Sequence, residues 1–276
     1  MRRSLTFLFL HVLLFSGLMP GMASAARAAG GDPFFEVTSE HFRGRYTLPH
    51  EREAVKAILR RAEEYYVRVA QDIGYSRYQD FWTWERRVVI ILYPDQYAFQ
   101  RFTGSPGWSK GYASRDTRIF RERTIVSYNG QENFLGEVLP HEIAHLMLWD
   151  HWRTPRAAPV WFEEGVAQLE EEGKRDQVQA AIRPVVMQGR HIPLASLQLM
   201  TVTGEEDKVK VSLFYAQSLS IVVFLIQKYG VSSFYRLCRE LRDGMSFELA
   251  LARAYPSEID SIDTLEKRWV KHFAEQ

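Results

Sequence analysis

The sequence predicts an α+β fold: a strand-bearing N-terminal half followed by an all-helical C-terminal half. Three observations carry this reading. Arg87-Val88-Val89-Ile90-Ile91-Leu92-Tyr93 is a strong strand, central in its sheet, because β-branched and apolar residues run on without a polar interruption. From Ser212 to Phe273 the apolar residues recur at helical spacing, with no alternating stretch among them. Between the halves stands His141-Glu142-Ile143-Ala144-His145, whose two histidines lie four apart and leave the same face of a helix.

The chain opens with Arg2 and Arg3, an apolar run from Leu5 to Met19, and Ala23-Ser24-Ala25. A short basic head, an apolar stretch of about 15 residues and an Ala-x-Ala site together read as a secretory signal peptide over 1–25, too short for a spanning helix. The product is expected outside the cytoplasm, secreted or in a bacterial periplasm. No later stretch reads as long and uninterrupted enough to cross a bilayer. Residues 26–33 are an Ala/Gly-rich lead-in, and one domain is expected over 34–276, an N-terminal lobe to about 150 and a helical lobe from about 151.

Phe34 to Tyr46 alternates loosely and gives one or two strands. Glu51 to Ile73 carries Val55, Ile58, Leu59, Ala62, Tyr66 and Val69 at helical spacing and stops at Gly74, a helix C-cap. After the 87–93 strand, Pro94-Asp95 starts a short helix. Gly104-Ser105-Pro106-Gly107 and Gly111 mark a loop, and Thr124 to Tyr128 is a second strand, ended by Asn129-Gly130. Phe134 to about Trp149 is the helix bearing the histidines. Pro155 and Pro159 break the chain before a helix from Val160 to about Glu172. Residues 173–210 mix helix and loop, with Gly204-Glu205-Glu206-Asp207 exposed. Helices follow over Ser212–Tyr229, Val231–Arg242, Phe247–Tyr255 and Ile262–Phe273.

Lys and Arg number 35 against 34 Asp and Glu, for a formal charge of +1. Loss of Arg2 and Arg3 with the signal peptide makes this about −1, and such a balance gives no reason to expect nucleic acid as a partner. Cys238 is the only cysteine, so no disulfide can form within the chain. It falls in an apolar-periodic helix, as a small buried filler.

The chemistry sits in His141, Glu142 and His145. Two imidazoles on one helix face, completed by a carboxylate, hold Zn2+ in a tetrahedral site that keeps one position open for water. Glu142, beside the metal and not needed as a ligand, is the general base that takes a proton from that water. Three residues compete for the third ligand position. His151 stands six after His145, but where a turn of the chain back to the metal would need Gly there is Leu148, and a continuing helix carries His151 away. Glu163 and Glu164 are neighbours, diverging by about 100° on a helix, so only one can face the metal. Periodicity does not choose between them.

With Trp161-Phe162-Glu163-Glu164-Gly165 placed after His-Glu-x-x-His, the chain resembles the gluzincin metallopeptidases, above all the compact bacterial peptidase-MA-like proteins, and more distantly the catalytic domain of zinc aminopeptidases. The resemblance implies a zincin-like fold and a zinc-dependent peptidase acting on a peptide or protein. It implies His141, His145 and Glu164 as ligands and Glu142 as base. Family members also carry an oxyanion-stabilising tyrosine on a later helix, in aminopeptidases within Tyr-x-Lys-Gly-Ala. Tyr215-Ala216-Gln217-Ser218-Leu219 matches at Tyr215 and departs at Gln217 and Ser218. The aminopeptidase Gly-x-Met-Glu-Asn segment has no counterpart. Thr124–Tyr128 is either an edge strand for an extended peptide or a plain internal strand, and Arg115, Arg118, Arg121 and Arg123 before it form a solvated face or a substrate rim. Two other readings stay open: a zinc-binding interaction domain without catalysis, and a hydrolase of a non-peptide amide such as a cell-wall crosslink.

Overall fold

The computed structural model describes residues 34–75, 82–83, 86–105, 109–114, 122–152, 157–202 and 207–275. The signal peptide, the lead-in, Arg115, Arg118 and Arg121 lie outside the described residues.

Phe34 to Tyr46 forms two strands, β1 (Phe35–Thr38) and β2 (Phe42–Tyr46). A single 3₁₀ turn at Pro49–Glu51 leads into α1 (Arg52–Asp72), whose buried face carries Val55, Leu59, Ala62, Tyr66 and Val69. β3 (Val88–Tyr93) is buried along its whole length. Asp95 caps α2 (Gln96–Thr103) by accepting from the Ala98 N–H, and Gly104 ends it at φ 70°, a left-handed conformation that glycine adopts without a Cβ clash. β4 (Gly111–Ser114) and β5 (Thr124–Tyr128) complete a five-stranded sheet in the order β1-β2-β3-β5-β4. β2, β3 and β5 run parallel, and β1 and β4 are antiparallel to their neighbours.

The alternation of β3 builds two cores at once. Val88, Ile90 and Leu92 enter the main core, and Val89, Ile91 and Tyr93 join Phe99 of α2 and Val126 of β5 in a smaller one. The main-core face carries α1 and α3 (Leu139–Trp152), the helix of the two histidines. One expectation changes here, and one open choice closes. The Gly111 region is a strand rather than a loop. Thr124–Tyr128 is flanked on both sides, by β3 and β4, so the edge on that side is β4. A four-residue strand with three small residues carries too little alternation to announce itself.

After α4 (Val160–Leu169), α5 (Lys174–Met187) and the single turn α6 (Leu194–Leu197), α7 (Lys208–Tyr229) runs through the helical half. α8 (Val231–Arg242) packs against α7, α9 (Phe247–Ala254) against α8, and α10 (Ile262–Ala274) against α5 and α6. By length and composition the 22 residues of α7 are enough to cross a bilayer, against the sequence expectation. It is apolar all round because α4, α5 and α8 surround it, as a core helix requires. Cys238 is fully buried on α8, and burial pushes its thiol up to about 12.

α4 and α7 approach closely at Gly165. A Cβ there would stand 2.6 Å from the Ser218 carbonyl oxygen and 2.8 Å from Val222 Cγ2. The obstacle includes backbone, which cannot swing aside. Gly165→Ala is therefore expected to destabilise the protein by about 1–3 kcal/mol, as overpacking does, read as a lower urea midpoint with an unchanged slope. An unchanged midpoint would show that the two helices separate freely at this point.

Candidate metal centre

The helix of the histidines begins irregularly. Phe134–Val138 forms a π turn before α3, and Pro140, in the first turn of α3, has no N–H to give the Gly136 carbonyl four residues back. That carbonyl accepts instead from the Glu172 N–H at 2.8 Å. The turn after α4 is thus fastened to the beginning of α3. α3 then runs through Leu148 to Trp152, buried on nearly every side.

His141 and His145 face each other with Nε2 atoms 3.0 Å apart. Glu164 of α4 approaches both, its Oε2 lying 3.5 Å from His141 Nε2 and 3.8 Å from His145 Nε2. The three donor atoms lie within 4.8 Å of one another, and all three residues are buried. The outer nitrogens are held as well. His141 Nδ1 bonds Glu171 Oε1 at 2.9 Å, and His145 Nδ1 bonds Glu163 Oε1 at 3.1 Å. A carboxylate behind each ring keeps the proton on Nδ1 and turns the Nε2 lone pair inward, as metal-bound histidines require. Glu163 also accepts from Trp149 Nε1, whose ring stacks on His145 at 5.7 Å. Lys174 pairs with Glu171.

The electrostatics point the same way. Burial holds His141 down at about 4. Burial opposes charge on His145 too, but Glu164 and Glu163 outweigh it and raise that ring to about 9. Burial lifts Glu142 to about 7, and Glu171 likewise to about 7 against the pull of Lys174. Four carboxylates thus surround two imidazoles, and among the described residues Lys174 is the only lysine or arginine ion-paired to any of them. Glu164 Oε2 is buried without a hydrogen bond. Two inward lone pairs, an orphaned carboxylate oxygen and an excess of buried negative charge suit a divalent cation. The residues present fit a metal.

Glu142 is buried beside this group. Its carboxylate accepts from the backbone N–H of Ala113 on the edge strand β4, and Oε1 has no hydrogen-bond partner. Tyr215 is buried on α7, its ring edge-on to Phe214 at 5.4 Å. Its carbonyl accepts from Gln168 Nε2 at 3.0 Å, and the same amide reaches the Glu164 carbonyl at 3.3 Å, which seats Tyr215 against the turn of α4 that carries Glu164. Gln217 and Ser218, where the sequence departs from the aminopeptidase pattern, have local uses: Gln217 exchanges two bonds with the backbone of Ile192, and Ser218 donates to Phe214 O. His151 is buried on α3 with its ring 5.8 Å from that of Tyr75, outside the group of donors. Arg123 pairs with Asp150.

Sequence reasoning missed Glu163, Glu171 and Ala113. It treated Glu163 as a rival of Glu164, whereas both touch His145 from opposite sides. The helix read as reaching Glu172 ends at Leu169, and this stop frees Glu171 to turn back to His141. The run Glu170-Glu171-Glu172 was the available signal, since adjacent acids that end a buried helix need partners.

The chain belongs to the Peptidase MA superfamily, whose family model matches residues 82–273. Among curated proteins it is similar to protein SprT of Klebsiella pneumoniae (strain 342), 35% identical over 65 residues, 22% of this chain and 38% of that protein. Protein SprT of Cronobacter sakazakii (strain ATCC BAA-894) is 34% identical over 56 residues, 20% of this chain and 34% of the relative. Protein SprT of Enterobacter sp. (strain 638) is 35% identical over 65 residues, with 22% and 38% covered. The chain thus spans well under half the length of these relatives. Together these similarities support a zinc metallopeptidase-like function and the α+β zincin-like fold.

The geometry ranks the candidate ligands. Glu164→Ala should abolish retention of zinc through dialysis against a mild chelator. Glu163→Ala should weaken zinc binding about tenfold to a hundredfold, as loss of a carboxylate behind a ligating histidine does, and His151→Ala should leave it unchanged. Full zinc retention by Glu164→Ala, or its loss in His151→Ala, would overturn this ligand set.

Proposed function

We propose that the protein is a zinc-dependent metallopeptidase in which His141, His145 and Glu164 hold the metal and Glu142 is the general base. The observation that carries this reading is the convergence of two inward-facing imidazole nitrogens and one carboxylate oxygen, with a second carboxylate beside them whose Oε1 is unengaged. A closed structural site would use four protein ligands and have no use for Glu142. Zinc, when bound there, supplies Lewis acidity and lowers the pKa of water.

The chain's own groups do the rest. Glu142 receives a proton from the attacking water and hands it to the leaving amine, a transfer suited to a carboxylate anchored at one end by Ala113 N–H. Because that anchor belongs to β4, the base is fixed to the sheet edge along which an extended peptide can pair. Tyr215 is the donor for charge that develops on the scissile carbonyl oxygen, a role it fills without touching the metal. The substrate class is a peptide or protein. The near balance of charge gives nucleic acid no attraction.

Two substitutions test the assignments together. Glu142→Gln should keep one zinc per chain and lose at least about a hundredfold in turnover on denatured protein, because it removes a base and no ligand. Tyr215→Phe should lose about a hundredfold with zinc content and melting temperature unchanged, the usual cost of one oxyanion donor. Near-normal hydrolysis by Glu142→Gln would end the peptidase reading. Glu142-dependent release from cell-wall fragments, with none from protein, would replace it by the amide hydrolase.

The same reading puts the protein in the bacterial periplasm or outside the cell, supported by Arg2, Arg3, the Leu5–Met19 run and Ala23-Ser24-Ala25. N-terminal sequencing of protein from the periplasmic fraction should begin near Ala26. Intact chain confined to the cytoplasm would contradict it.

A further inference from the structure

Outside the group of ligands, a polar cluster joins α1 to the acidic turn Glu170–Glu172. Arg61, Tyr65 and Arg68 stand at i, i+4 and i+7 on one stripe of α1. Arg61 and Arg68 lie over the Tyr65 ring, 4.7 Å and 4.6 Å from its centroid, so the stripe is held rigid by cation–π contacts. Each member then reaches the turn. Arg68 Nε bonds Glu170 Oε2 at 3.0 Å, and its Nη2 bonds the Glu170 carbonyl. Tyr65 Oη donates to Glu172 Oε1 at 2.8 Å, and Arg61 pairs with the same carboxylate.

The turn has little freedom left. The Glu172 N–H is taken by the Gly136 carbonyl, and a Cβ at position 136 would stand 3.0 Å from the Glu172 carboxylate. Between the two clamped residues lies Glu171, whose carboxylate points the other way, to His141 Nδ1. A side chain whose neighbours on both sides are fixed is itself aimed, at the cost of the entropy those neighbours have already lost.

We propose that Arg68, with Tyr65 and Arg61, is a positioning group for the metal site: it sets the orientation of His141 through Glu171, and α1 is thereby part of the zinc-binding apparatus. This rests on the metallopeptidase reading only as far as the zinc site. Arg68→Met keeps an apolar stem against Tyr65 and removes the bonds to Glu170. It should weaken zinc affinity about tenfold, at the lower end of what is lost when groups supporting a metal ligand are removed, while Arg68→Lys, which retains a charge for Glu170, should stay within about threefold of wild type.

A double-mutant cycle separates positioning from mere support. Zinc affinity is measured by competition with a chromophoric chelator for wild type, Arg68→Met, Glu171→Gln and the double variant. If Arg68 acts through Glu171, its substitution costs less than about twofold once Glu171→Gln is in place. An equal loss in both backgrounds, or a fall in melting temperature with zinc affinity intact, overturns the proposal. Should Arg68→Met fail to fold, Tyr65→Phe removes only the hydroxyl bonded to Glu172 and enters the same cycle, with a loss of about threefold expected on the same grounds. The cycle reads zinc and not turnover, so a chain that binds zinc and cleaves nothing still decides it. A wild-type chain that takes up no zinc overturns the metal-site reading and the clamp with it.

Discussion

Two buried imidazole nitrogens 3.0 Å apart can both present lone pairs inward only if something positive, a proton or a cation, lies between or beside them. Much of the surrounding structure can be traced to meeting that constraint. The rings cannot turn away, because Glu171 and Glu163 hold their outer nitrogens. Those carboxylates do not come from α3. They are brought by a second element lying across the first. α4 is that element, supplying Glu163 and Glu164 from its first turns and Glu171 from just beyond its end.

Bringing α4 so close makes its own demands. Eight of its side chains besides Gly165 are buried, three of them polar, so it must be covered by something apolar and close-fitting. α7 meets this need with a helix that is apolar all round, and with a backbone contact at Gly165 one residue beyond Glu164. The same property that makes α7 resemble a membrane span makes it a lid for the carboxylates. In a low-dielectric setting their attraction for a cation is strengthened, and so is the cost of leaving them unpaired.

The local parts of this design were legible in the sequence. His141 and His145 share a face because of helix geometry alone, and Asp95, Gly104 and the Val88–Tyr93 run act on neighbours within a few residues. What depended on long-range pairing was not legible. Nothing within Thr124–Tyr128 shows that β4 will add outside it, because strand order is set by which edge is left after β3 has paired, not by the strand's own alternation. Glu163 and Glu171 could not be read as partners of the histidines, since periodicity reports which residues face inward but not what they meet. The resemblance selected Glu164 where spacing could not; its Oε2 lies 3.5 Å and 3.8 Å from the two Nε2 atoms.

Pro140 shows how one residue can serve both halves of the problem. A proline in the first turn of a helix is cheap for the helix, because an N–H there has no intrahelical partner in the first place. At position 140 it also leaves the Gly136 carbonyl open, and a buried carbonyl needs a donor. The Glu172 N–H supplies it, so the irregular start of α3 becomes the attachment point for the turn behind His141. Gly136 belongs to the same arrangement, as its missing Cβ lets the Glu172 carboxylate lie close. The beginning of the histidine helix and the carboxylate that orients its first histidine are therefore one connected feature, joined by a backbone hydrogen bond that no side-chain motif records.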